Sequence, residues 1–224
     1  ISSSSIGDLN DVSIGAESEI NYTSFDSGQT SFTDPNSSAT GGAIDTALGT
    51  NAWKVLSSES YGDGSALVGF LSTDKRYDVV NLRVRSSNNI DTNNRLALGG
   101  NRSDLTTAGG GFALYTRDSG FGFAGAGSFE EIGTKPTMLA DTWYEITYVL
   151  DWASAQRATK PNVSLWVDGA IAISNVTLTV SYAELTGVEA LNFRIPWNTT
   201  AQSNSGDKYW DDISVATGNT IPWS

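Results

Sequence analysis

The chain has 224 residues, with 25 acidic against 13 basic side chains and a formal charge of −12. It holds neither cysteine nor histidine, which excludes disulfides, thiolate nucleophiles, histidine-bearing triads and histidine-ligated metals. Carboxylate, tyrosine and lysine chemistry remain, with oxygen-ligated hard cations such as calcium. So acidic a surface offers no basic face to nucleic acid, and no run of about 18 apolar residues is present to span a bilayer.

Residues 1–10, ISSSSIGDLN, read as a linker stub, and 11–224 as one domain of a size that β-sandwiches commonly reach. The start has neither a basic n-region nor an apolar h-region, so the chain reads as mature or as excised from something longer. Two weak strands come first, AESEINYTSF (16–25) and AWKVLSS (52–58), on either side of a long polar loop region over 26–51. Period-2 segments follow at 65–72, 79–87, 95–101, 111–118 and 121–127, then at 143–152, 162–174, 178–181, 190–197 and 209–216. Only 182–191, YAELTGVEAL, has the composition for a helical turn, and Gly187 weakens it. About twelve strands exceed what one twisted sheet accommodates, and no helices intervene to make parallel crossovers. The expected fold class is all-β, a two-sheet antiparallel β-sandwich of jelly-roll type.

The stretch WYEITYVLDW sorts Tyr144, Ile146, Tyr148 and Leu150 to one face and Trp143, Glu145, Thr147 and Val149 to the other. Val163, Leu165 and Val167 alternate with Ser164 and Trp166, and Asp168-Gly169 supplies turn chemistry for a hairpin. Tyr148, Trp166 and Phe193 are expected in the core. Trp53, Tyr61, Trp197, Tyr209, Trp210 and Trp223 are expected nearer the surface.

The segment DTWYEITYVLDWASAQRATKPNVSLWVDGAIA (141–172) and the ending YWDDISV resemble the concanavalin A-like lectin/glucanase (laminin-G-like) superfamily and its carbohydrate-binding jelly rolls. The resemblance covers about a third of the chain and implies the fold more than the activity, because lectins, hydrolases, lyases and adhesion domains share it.

A retaining glycosidase needs two carboxyls about 5–5.5 Å apart, as an i, i+2 pair on a strand provides. The resemblance implies a Glu-x-Asp-x-(x)-Glu strand for that purpose, and the sequence has none; Glu17 and Glu19 make its one Glu-x-Glu. A polysaccharide lyase needs a base and a group to hold the uronate carboxylate. The histidine that jelly-roll alginate lyases carry is missing, which leaves Tyr115 with Arg117 as the place for such a reaction. Five of the eight arginines, Arg83, Arg85, Arg95, Arg117 and Arg194, fall on candidate strands. They are expected either to pair with surface acids or to line one sheet as forks for an anionic glycan. Trp197 and Asn198, in PWNTT, join a stacking ring to amides and complete the expected ligand-binding set with Tyr115.

The ending KYWDDISVATG places Asp211 and Asp212 on opposite faces of a strand, with Asp211 continuing into Ile213 and Val215 and therefore facing the apolar side. The family resemblance implies a structural Ca2+ between first and last strands, with Glu17, Glu19, Asp211 and Asp212 as ligands. The expected function is a secreted, non-catalytic and monomeric carbohydrate-binding module for a polysaccharide, with an anionic one suited to the arginines, within a polysaccharide-degrading enzyme. A lyase or glycoside hydrolase of the same fold is the second reading, and a structural or adhesion domain the third. Six Asn-x-Ser/Thr sequons arise readily by chance in a chain this rich in Asn, Ser and Thr.

Overall fold

The computed structural model of the protein describes residues 20–23, 43–45, 52–55, 67–70, 75–90, 96–100, 112–116, 120–125, 128–154, 160–178, 192–195 and 206–220. These hold fourteen strands. In chain order they are β1 (Ile20–Thr23), β2 (Ala43–Asp45), β3 (Ala52–Val55), β4 (Leu67–Phe70), β5 (Tyr77–Ser86), β6 (Ala97–Gly100) and β7 (Phe112–Thr116). Then come β8 (Gly120–Gly125), β9 (Ser128–Thr134), β10 (Tyr144–Asp151), β11 (Asn162–Val167), β12 (Ala170–Thr177), β13 (Asn192–Ile195) and β14 (Lys208–Gly218). An eight-stranded sheet runs β12-β11-β10-β5-β14-β3-β2, with β1 also paired to β14, and a six-stranded sheet runs β4-β13-β6-β7-β8-β9. Strand pairing is antiparallel throughout the described residues, and the chain is an all-β sandwich as its alternating segments require.

The core lies between the two sheets. Val80, Leu82 and Val84 of β5, Ile146, Tyr148 and Leu150 of β10, and Val163 and Leu165 of β11 meet Leu114, Phe121 and Phe123 of the other sheet. The face assignment read from period 2 at β10 and β11 therefore holds. Asp168 (φ 48°) and Gly169 (φ 76°) form the turn between β11 and β12, both in the left-handed region that this tight hairpin needs. Asp168 Oδ1 also accepts the Glu145 amide at 2.8 Å, so it is a turn residue tying the hairpin to β10.

Several expectations change. Strand β2 lies inside the expected polar loop region, and β9 has no counterpart among the expected strands because SFEEIGT shows little alternation. Trp166 leaves the core. It stands on the outer face of the eight-stranded sheet, half-buried against the small cluster of Tyr77, Val79, Val149 and Ala216. Tyr209 and Trp210 are buried, at 6% and 0% exposure, where surface positions were expected. Strand β14 lies between β5 on one side and β3 and β1 on the other, which covers both residues. The expected helical turn at 182–191, and Trp223, lie outside the described residues.

Strand β14 corrects the reading of the aspartate pair. Its register to β5 shifts between Asp211 and Ser214, and Asp212 sits at φ 46°. This bulge inserts a residue and resets the alternation. Trp210 and Ile213 both enter the main core, while Asp211 pairs with Arg83 on the outer side of the sheet. Asp211 is nevertheless 1% exposed, and its Oδ1 accepts the Asp212 amide at 2.8 Å.

Candidate functional site

The outer face of the six-stranded sheet holds two buried strand glycines, Gly120 and Gly122, against which neighbouring groups pack closely. Phe121 and Phe123 of β8 point to the core, so Gly120 and Gly122 occupy the outer face by the period-2 pleat. One cross-strand row there runs Ala97, Tyr115, Gly122, Glu131. The Tyr115 ring crosses Gly122: a Cβ built on that glycine would stand 2.6 Å from Cζ of the ring. Beside it, a Cβ on Gly120 would stand 2.5 Å from Glu131 Oε1. Two strand glycines, which weaken a strand in isolation, thus seat a ring and a carboxylate on a sheet surface; strand glycines often mark a close approach of this kind. Tyr115 is 1% exposed, whereas Glu131 is exposed. Arg194 joins this face by register: it pairs with Gly100, which pairs with Ala113, on the same face of β7 as Tyr115.

The expected gathering of arginines on one sheet does not hold. Arg83 and Arg85 stand on the outer face of the eight-stranded sheet, on the opposite side of the sandwich from Tyr115. Arg83 pairs with Asp212 at 3.1 Å and lies 5.1 Å from the centroid of the Trp143 ring. Arg85 pairs with Asp141 at 2.6 Å and lies 5.1 Å from the Tyr209 ring. Lys54 lies 5.5 Å from that same ring and pairs with Asp207 at 3.2 Å, so Tyr209 stands between two cations. Each of these three cations is matched by a carboxylate, as arginines on a sheet of an acidic protein commonly are. Arg95, Arg117, Trp197, Asn198, Glu17 and Glu19 lie outside the described residues.

The geometry also brings out groups that sequence reasoning missed. Glu131 was visible only as one of two adjacent glutamates; the pairing of β9 to β8 places it beside Tyr115. Lys208 is 1% exposed on the core face of β14, opposite Ser86 of β5, and its alternation with Trp210 was the signal. Burial pushes its ammonium down to about 8, with the charge of Asp207 opposing that shift. Asp78, at 0% exposure, accepts the indole N–H of Trp152 at 2.7 Å. Burial drives the Tyr148 phenol well above its ordinary range, and the Asp78 charge adds to this. A cavity of about 510 Å³ at the seam of β9 and β12, walled by Lys135, Tyr144, Asp168 and Ile171, includes none of the residues expected to bind.

Of the expected calcium ligands on β14, Asp211 is buried and accepts the Asp212 amide, while Asp212 is paired with Arg83. Among the described residues no three acidic groups gather to hold a metal. Strand β1 pairs with β14 as expected, with Thr23 opposite Ile213 and Ile20 opposite Ala216.

No protein-family model matches the chain, and no curated protein matches it. Among solved structures, the fold is similar to the cellulose-induced protein Cip1, at 15% identity and a TM-score of 0.57 over 89% of this chain and 98% of that one. It is also similar to an endo-β-1,4-glucuronan lyase from the fungus Trichoderma reesei, at 14% identity and a TM-score of 0.53 over 91% and 96%. The binding domain of Paraclostridial Mosquitocidal Protein 1 is a third, at 12% identity and a TM-score of 0.51 over 82% and 44%. At identities this low, the superpositions show a shared fold and nothing further.

Proposed function

We propose that the chain is an exported, non-catalytic polysaccharide-recognition domain whose ligand lies across the outer face of the six-stranded sheet. The observation that carries this reading is the row of Tyr115, Gly122 and Glu131, where two buried glycines seat a buried ring beside an exposed carboxylate. Such a face offers the exposed Glu131 carboxylate to sugar hydroxyls, with the buried Tyr115 ring packed beneath as its support. Near-complete overlap with Cip1 and with the glucuronan lyase, proteins whose names tie them to polysaccharides, supports the class of ligand. Binding is preferred to lyase chemistry because Tyr115, the base that reaction would need, is 1% exposed. The arginine case for an anionic ligand now rests on Arg117 and Arg194, since Arg83 and Arg85 belong to the other sheet.

The test is affinity electrophoresis through gels carrying neutral and acidic polysaccharides. Wild type is expected to be retarded by at least one. Glu131→Ala, at an exposed position, is expected to weaken retardation about five- to tenfold without lowering the melting temperature. Gly122→Val is expected to displace the Tyr115 ring and abolish it. Unchanged retardation in both variants, or no retardation of wild type, would sink the reading.

Calcium at Asp211 of β14 is part of the same proposal, with co-ligands other than Glu17 and Glu19, because these precede Ile20, whose partner Ala216 is five residues along β14 from Asp211. A melting temperature several degrees lower in chelator is the expected result. An unaltered melting curve, or an Asp211→Asn variant that stays equally sensitive to chelator, removes it.

A further inference from the structure

The outer face of the eight-stranded sheet carries an aromatic that the main core does not use. Strand β11 sends Val163, Leu165 and Val167 inward, which puts Trp166 outside, half-buried against Val79 and Val149. The register sets Trp166 in one row with Thr147, Asn81 and Ser214. Adjacent strands are about 4.8 Å apart, so Asn81 lies about 10 Å from Trp166 across the sheet, a span of one to two sugar rings. Asn81 is half-buried and donates from Nδ2 to Glu145 Oε1 at 3.2 Å. A tryptophan that only shielded two valines would need no amide–carboxylate pair beside it. An aromatic surface flanked by such a pair is the combination that pyranose rings require, a stacking face for C–H groups and planar partners for hydroxyls.

We propose that Trp166, Asn81 and Glu145 form a second saccharide-binding surface, one that takes a neutral pyranose chain. The charges around it set that class. Glu145 and Asp168 present carboxylates that repel a uronate, while the nearby Arg83 is paired with Asp212, and Arg76 is held to Asp151 by two hydrogen bonds of 2.8 and 2.9 Å. The surface lies on the opposite side of the sandwich from Tyr115, and only its ligand class rests on the polysaccharide reading. A domain with saccharide sites on both outer faces links two polysaccharide chains, or gains avidity on one that folds back.

Calorimetric titration with neutral hexasaccharides (gluco-, xylo- and manno-configured) and with a uronate hexasaccharide tests this. Wild type is expected to take up one more neutral oligosaccharide per domain than Trp166→Ala. Trp166→Phe is expected to keep both sites with less than tenfold weakening, and Asn81→Ala with Glu145→Gln to lose the same site as Trp166→Ala. Trp166→Ala with unchanged stoichiometry and affinity, while Gly122→Val abolishes all binding, overturns this surface and leaves the first. Loss on Trp166→Ala but not on Gly122→Val supports this surface and overturns the first. Uronate that competes for the Trp166 site overturns the neutral-ligand assignment, and a wild type that binds no saccharide overturns both surfaces.

Discussion

Exchanging Lys208 for methionine is expected to raise the unfolding free energy at pH 7 by about 3 kcal/mol. Lys208 is 1% exposed on the core face of β14 and shares the interior with Trp210. Its pKa falls from 10.5 in the unfolded chain to about 8 in the folded one, chiefly by burial. Below pH 8 the folded protein therefore carries a net cost for a charged ammonium in the core, part of it offset by Asp207. Between pH 8 and 10.5 the unfolded chain binds more protons, so wild-type stability climbs with pH as that cost is relieved. Methionine matches the aliphatic stem and has no charge to desolvate, so its advantage shrinks over this window and closes near pH 10. Above pH 10 both proteins lose stability, because the unfolded Tyr148 phenol ionises while the buried one keeps its proton. Urea unfolding at pH 7, 8, 9 and 9.5 measures the difference. A methionine variant less stable than wild type at pH 7, or a gap that does not narrow with pH, contradicts the assignment.

Asp78→Ala is expected to cost about 3 kcal/mol, and Asp78→Asn less than about 1. Asp78 is fully buried at the end of β5, and its Oδ2 accepts the Trp152 indole N–H at 2.7 Å. Trp152 is itself 0% exposed, and its amide is used by the Arg76 carbonyl at 2.9 Å. Alanine leaves the indole donor without its acceptor in the core and removes side-chain volume; asparagine keeps an acceptor in place. Equilibrium unfolding of the two variants, with indole fluorescence as the probe, tests the pair. An alanine variant within about 0.5 kcal/mol of wild type would show that the bond carries little.

The residues of β10, β11 and β14 show how far the sequence reaches. In β10, Tyr144, Ile146, Tyr148 and Leu150 alternate with Glu145 and Thr147, so the core face was legible before any coordinates. Asp168-Gly169 was legible as a turn because positive φ at both positions is a local demand. Strand β9 was not, since its place depends on the glycines of β8 that receive Glu131 from across the sheet. Trp166 was misplaced because a large aromatic looks like core material wherever it occurs. Its alternation with Val163, Leu165 and Val167 already turned it outward, and Tyr77, Val79, Val149 and Ala216 on the outer face half-bury it there.

By itself, the sequence determined the fold class, the hairpin and the chemistry that is excluded, because period 2, turn residues and the lack of histidine and cysteine are local properties. Which strands share a sheet was decided by tertiary structure. So was the sorting of the candidate site: Arg83 and Arg85 went to one side of the sandwich, and Tyr115, with Arg194 by register, to the other. The aspartate pair marks the boundary between the two. Its alternation pointed Asp211 to the apolar side in step with Ile213, but the left-handed Asp212, held by Arg83 from the neighbouring strand, resets the phase and leaves Asp211 on the outer side. A bulge is a property of two strands in register, and one strand's sequence does not contain its partner.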